Sequence, residues 1–193
     1  AQSSITDSTQ TALGASSTLA KVMSLLELNP NIEQPIICHQ ADFINYYLCG
    51  VINITDENNA LKLGYNLVNQ TSNQTLNKPK YQAWQKWIMD LLTPLNSKTT
   101  LPKVVSPGDY LAKILPQIAQ QYGFSKNLKV MAGTTDSIAG FLAAGTQKLG
   151  DTVTSLGSTI AIKSISKHAV YNATQGLYSH KLKDDWLVGG ASN

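Results

Sequence analysis

Hydrophobic positions recur with two different periods along the chain, helical for about the first two thirds and alternating near the end. In "ASSTLAKVMSLLELNP", Leu19, Val22, Met23 and Leu26 share one helical face. Ser16 or Ser17 offers a capping hydroxyl, and Asn29-Pro30 ends the segment. "PIICHQADFINYYLCG" predicts a second helix, with Phe43, Tyr46 and Tyr47 along one side and Gly50 as a left-handed cap. The polar run from Asn69 to Pro79 reads as a loop. "KYQAWQKWIMDLL" predicts a third helix, with Trp84, Trp87, Ile88 and Leu91 at helical spacing. "LPKVVSPGDYLAKIL" holds two prolines and a Pro-Gly turn, so it is extended. Pro116 suits the first turn of a short helix that ends at Gly123.

"LKVMAG" then predicts a short strand, and "TTDSIAGFLAAG" a helix with Ile138, Phe141 and Leu142 inward and Gly145 as its cap. "DTVTSLGST" and "IAIKSIS" read as two strands around a glycine turn. "GLYSHKL", "KDD" and "WLVGG" read as a β-hairpin. The change of period falls near "AAGTQKLGD", which marks a candidate domain boundary. No internal repeat is visible. The strands at the chain end are expected to lack sheet partners.

A chain of 193 residues suits one domain or parts of two. It begins without Met and stops at "LVGGASN", inside what reads as an element, so a fragment of a longer protein is expected. Charged residues make up only 14%, and solubility leans on Asn, Gln, Ser and Thr. All 15 basic residues are Lys, and they are scattered. They read as solvated surface, which argues against a nucleic-acid partner. Cys38 and Cys49 show neither CxxC nor metal spacing, so reduced thiols in a cytoplasmic compartment are expected. Sequons at Asn53, Asn69, Asn73 and Asn172 arise readily by chance in an Asn-rich chain. No apolar run approaches the roughly 20 residues of a membrane span, so no membrane partner is expected. The first residues have neither the basic start nor the apolar core of a signal peptide.

Asp136 is the one charge in "VMAGTTDSIAGFLAAG". A strand, a small-residue turn and a helix can aim backbone amides at an anion, and the positive helix end favours a carboxylate there. The plainer reading is a helix cap, worth about 0.5–2 kcal/mol. Gly157, Ser158 and Thr159 form a glycine turn whose amides and hydroxyls can cradle a phosphate, or simply close a hairpin. They match neither the phosphate loop G-x-x-x-x-G-K-[ST] nor a G-x-S-x-G elbow. His39, Gln40 and Asp42 could form an acid-base or metal cluster, but a lone histidine at a helix entrance is more often structural. Asp56, Asn58 and Asn59 read as a polar loop leading into a short helix. The Trp84 and Trp87 pair reads as core.

Seven stretches occur together and in order: "SSTLAKVMSLLEL", "HQADFINYYLCG", "TDENNALKLGYN", "LPKVVSPGD", "AGTTDSIAGFLAAG", "TSLGSTIAIK" and "GLYSHKLKDDWLVGGASN". This series resembles the FGGY family of carbohydrate kinases, and within it the plant and cyanobacterial D-ribulose kinase (xylulokinase-like) branch. Ser24 departs from it, standing where many members carry Trp. The resemblance implies an α/β, actin-like (ribonuclease-H-like) fold of two domains around a cleft. Residues 1–147 would then end the first domain and residues 148–193 begin the second. It implies ATP and Mg²⁺ as cofactors and a sugar as the partner substrate, a ketopentose such as D-ribulose or D-xylulose. Asp136 matches the family's catalytic base, and Gly157, Ser158 and Thr159 its second phosphate-binding turn. The family's N-terminal Asp, its Gly-Thr phosphate turn and its adenine-binding glycines would lie outside residues 1–193. A catalytically silent sugar- or nucleotide-binding relative and a non-kinase actin-like ATPase remain as alternatives.

Overall fold

The computed structural model describes residues 17–67, 84–157 and 160–192. Helix α1 (Thr18–Leu28) begins at Ser17, whose Oγ accepts from the Ala20 amide at 3.2 Å. Of the two candidate serines, Ser17 is therefore the cap. Leu19 and Leu26 bury into a cluster with Ile37, Leu63, Ile88 and Leu92. Helix α2 (Gln40–Cys49) ends at Gly50, with φ 76°. Phe43, Tyr46 and Tyr47 are all exposed, so the aromatic side predicted there is not a core face. The α2 contact with the interior is Cys49, packed with Ile114, Ile118, Ala119 and Val130.

Strand β1 (Ile54–Asp56) runs directly into helix α3 (Glu57–Lys62) and pairs in parallel with β2 (Lys103–Val105). The predicted polar loop before this helix is thus a buried strand end. Helix α4 (Lys86–Leu92) is shorter than the "KYQAWQKWIMDLL" segment, and Trp84 precedes it. Part of that segment, and the predicted loop from Asn69 to Pro79, lie outside the described residues. Ile88 and Leu92 face the core while Leu91 is exposed, because the buried stripe runs at i, i+4. Trp84 donates its Nε1–H to the Pro102 carbonyl at 3.0 Å and meets the Tyr65 ring edge-on at 4.9 Å.

Strands β3 (Tyr110–Lys113) and β4 (Lys129–Met131) pair antiparallel. Helix α5 (Pro116–Tyr122), with proline in its first turn and Gly123 at φ 70°, connects them. Helix α6 (Asp136–Ala143) follows β4. Ile138 and Phe141 are buried, but Leu142 is exposed, contrary to the predicted inward stripe. The chain then forms an antiparallel sheet of β5 (Thr152–Leu156), β6 (Ile160–Ser166), β7 (Tyr178–Leu182) and β8 (Asp185–Ser192), in the order β5-β6-β8-β7. The final strand is therefore paired on both sides, against the expectation that it would lack partners. A turn at Lys183, with φ 53°, folds β8 back between β7 and β6, and the free edges are β5 and β7.

Helix α6 covers this sheet through Ile138, Phe141, Ile165 and Leu187. Burying each such side chain contributes about 1.5–3 kcal/mol. Trp186 of β8 joins Ala60, Leu61, Tyr65, Leu67 and Val104. Residues before and after position 147 thus share one apolar cluster. Cys38 and Cys49 are unpaired. Among the described residues no helix is long and apolar enough to cross a membrane.

Candidate functional site

The chain leaves β4 and turns through Ala132 to Thr135 into α6. Thr135 takes an extended conformation, and its carbonyl accepts from the Ile138 and Ala139 amides at 3.1 and 3.0 Å. The N-cap position therefore belongs to Thr135, and Asp136 is the first helical residue. Asp136 is exposed, and its Oδ1 accepts from the Ser137 amide at 2.7 Å. That contact leaves most of the carboxylate open to solvent or a ligand.

Register defines the sheet face beneath it. Lys163 on β6 and Tyr178 on β7 both lie opposite Gly189 of β8. One step along, Ile165 and His180 both lie opposite Leu187. Cross-strand partners and i, i+2 neighbours point to the same side of a sheet. Since Ile165 and Leu187 pack against α6, Lys163, Tyr178 and His180 belong to the covered face. Lys163 is 8% exposed, and among the described residues its Nζ has no hydrogen-bond partner. Burial pushes its ammonium below the ordinary lysine value; the Asp136 charge opposes the fall and the Lys62 charge adds to it. His180 is pushed down to about 3 by burial, then by the charges of Lys163 and Lys62. The Tyr178 phenol is raised by burial and by Asp136. The reading of every lysine as solvated surface therefore fails at Lys163.

Leu156 pairs with Ile160, the last described pair between β5 and β6. Gly157 is exposed, and Ser158 and Thr159 lie outside the described residues. Ile165 belongs to the cluster under α6, whereas Lys163, two residues nearer the hairpin turn, feels Asp136. Lys163 therefore lies nearer the hairpin end of β6 than Ile165, on the sheet face that α6 covers.

Two buried polar groups were not recognisable as such in the sequence. Asp56 caps α3, its Oδ1 accepting from the Asn58 and Asn59 amides at 2.9 and 3.2 Å and its Oδ2 from Asn59 Nδ2 at 2.6 Å. Burial raises its carboxyl above the usual range, those donors pull it back, and the Asp42 charge adds to the rise. Asn58 is fully buried and reaches 123 residues along the chain. Its Nδ2 donates to the Lys181 carbonyl at 3.0 Å and to Thr134 Oγ1 at 3.3 Å, and its Oδ1 accepts from the Lys181 amide at 2.9 Å. One amide thereby ties α3 to the edge of β7 and to the turn before Asp136.

His39 occupies the N-cap of α2 in a capping box with Asp42, whose Oδ2 accepts from the His39 amide at 2.9 Å and sits 3.1 Å from its Nδ1. Thr55 Oγ1 lies 3.0 Å from the same Nδ1. These contacts serve the helix start. Among the described residues no three His, Cys, Asp or Glu side chains group to hold a metal.

A 143-residue stretch is 27% identical to the xylulose kinase of Haemophilus influenzae, covering 74% of this chain and 26% of that protein. The Bacillus subtilis xylulose kinase is 26% identical over 111 residues, 56% of this chain and 22% of its own length. Among solved structures, the xylulose kinase from Rhodospirillum rubrum superposes with a TM-score of 0.72 at 22% identity, covering 93% of this chain and 34% of that one. The gluconate kinase from Lactobacillus acidophilus gives a TM-score of 0.70 at 17% identity, with 93% and 34% coverage. No family model matches. The chain spans about a quarter of the length of the curated relatives it matches. Its fold is part of the actin-like ATPase fold found in sugar kinases. The two sequence relatives are both xylulose kinases, and the two solved structures are a xylulose kinase and a gluconate kinase.

Proposed function

We propose that this chain is part of an ATP-dependent carbohydrate kinase acting on a ketopentose, D-xylulose or D-ribulose, with Asp136 as general base. The observation that carries the reading is the exposed Asp136 carboxylate on the first turn of α6. The assignment of Gly157, Ser158 and Thr159 to the ATP phosphates is supported by the ordered motif series. Xylulose is favoured by the names of the sequence relatives; ribulose rests on the ordered motif series. In this reading residues 1–147 end one actin-like domain and residues 148–193 begin the next, and closure between them excludes water.

A sugar hydroxyl is a poor nucleophile. As its oxygen bonds to the terminal phosphorus of ATP, its proton passes to the Asp136 carboxylate. The bond from that phosphorus to the bridging oxygen breaks, and the electron pair stays on ADP. Backbone amides and hydroxyls of Gly157, Ser158 and Thr159 hold the ATP phosphates. Mg²⁺, when bound with ATP, supplies positive charge to those phosphates.

The test uses the protein encoded by the complete reading frame, assayed for ADP release with D-xylulose, D-ribulose, D-gluconate and glycerol. A ketopentose is expected to stimulate release most. Asp136→Asn is expected to lower kcat by about 10²-fold or more. Turnover near the parent level in that variant removes the role from Asp136. Nucleotide binding without any sugar-stimulated release defeats the kinase reading altogether.

A further inference from the structure

A buried charge without a partner is costly, and folded proteins keep few of them. Lys163 is such a group, since its Nζ is out of solvent and unbonded among the described residues. Its position is built rather than accidental. Gly189, opposite it on β8, has no side chain, and a Cβ there would overlap the Ile162 carbonyl oxygen and come 2.9 Å from Lys163 Cγ. The lysine stem therefore occupies the space that a side chain at 189 would take. Tyr178 closes the row on the far side of Gly189, and α6 packs on Ile165 and Leu187 of the adjacent row on the same face. The anion that most affects Lys163 is Asp136. Its other charged neighbour, Lys62, repels it, and the adjacent His180 is held neutral by burial.

We propose that Lys163 is the cation that receives the transferred phosphoryl group beside Asp136 and holds it as the sugar phosphate product. The inference rests on the kinase reading and adds a residue and a stage to it. Before transfer, the Asp136 charge favours the Lys163 ammonium without bonding it, so the burial of that ion is not offset. Once Asp136 has taken the hydroxyl proton, it is neutral, and the phosphate on the sugar oxygen becomes the negative group next to it. The four-carbon stem lets Nζ follow that charge by a change of rotamer.

Lys163→Met, in the protein of the complete reading frame, keeps the stem and removes the charge. Its Tm is expected to equal or exceed that of the parent, because a buried ion without a partner is replaced by an apolar group. Its kcat is expected to fall by about 10²-fold, the scale of losing one charge-stabilising donor. Inhibition by the purified sugar phosphate product is expected to weaken by about tenfold or more, as for loss of a charge-assisted hydrogen bond. KM for ATP should stay within about threefold of the parent, since uniform ATP binding is not what Lys163 supplies.

A folded variant whose kcat and product inhibition match the parent overturns the assignment. So does a rise in KM for ATP with product inhibition unchanged, which moves Lys163 to the ATP phosphates. A Lys163→Met protein that fails to fold also overturns it, because a cation awaiting its partner cannot be what holds the free protein together. A parent that releases no ADP with any sugar defeats the kinase reading and the inference together. An active parent with an unaffected Lys163→Met variant defeats the inference alone.

Discussion

Replacing Asn58 with Ala removes the three hydrogen bonds from one buried amide to Lys181 and Thr134. The amide orientation is fixed by its partners, because the Lys181 amide can only donate and its carbonyl can only accept. Each hydrogen bond contributes about 0.5–1.5 kcal/mol net, and the contact to Thr134, at 3.3 Å, sits at the weak end. The two Lys181 groups lie on an edge strand, where water can replace part of the loss. The sum is a destabilisation of about 2–4 kcal/mol, including the small cavity left beneath α3.

Urea denaturation of parent and variant, followed by circular dichroism, measures this as a lower midpoint with an unchanged slope. Asn58→Asp is the sharper control. It keeps shape and one acceptor, but its second oxygen would face the Lys181 carbonyl, so it is expected to be at least as damaging as Asn58→Ala. Activity should fall with stability, because Thr134 stands two residues before Asp136. An Asn58→Ala protein within about 0.5 kcal/mol of the parent would refute the argument that this amide joins α3 to β7.

Gly189→Ala is expected to destabilise by about 1–3 kcal/mol, read as a drop in Tm, because the added Cβ meets the β6 backbone. Gly140→Ala, where a Cβ meets nothing within 4 Å on α6, serves as the control and should leave Tm unchanged or raised. His180 binds a proton in the unfolded chain near its ordinary 6.5 but in the folded protein only at about 3. Its contribution is intact above pH 6.5 and is lost as pH falls toward 3, with a slope approaching about 1.4 kcal/mol per pH unit. His180→Phe should flatten that part of the stability-against-pH curve, and a curve superimposable on the parent's would show that the imidazole is not the group responsible.

Local signals in the sequence located most element ends. Ser17, Gly50, Pro116 and Gly123 act within a turn of their own position, so capping and backbone preference mark them without reference to the rest of the chain. The same holds for the hairpins around residue 157 and Lys183. Which face of each element is buried was less legible. In "IAIKSIS", Ile160 and Ile162 are exposed while Lys163 and Ile165 are buried. Period and face are separate quantities, since alternation fixes which residues share a side but not which side α6 covers. Leu142, expected inward, is exposed for the same reason, since helical period alone does not say how wide the covered face is.

The sequence by itself determined the order of elements, the caps and the position of Asp136 at a helix start after a small-residue turn. These depend on contacts between near neighbours. Tertiary structure decided what surrounds that carboxylate. Asn58 reaches Lys181 across 123 residues, and Lys163 lies on the sheet face covered by a helix that begins 27 positions earlier in the numbering. Partners so far apart leave no local periodicity, and only the sheet register and the packing of α6 bring their charges together.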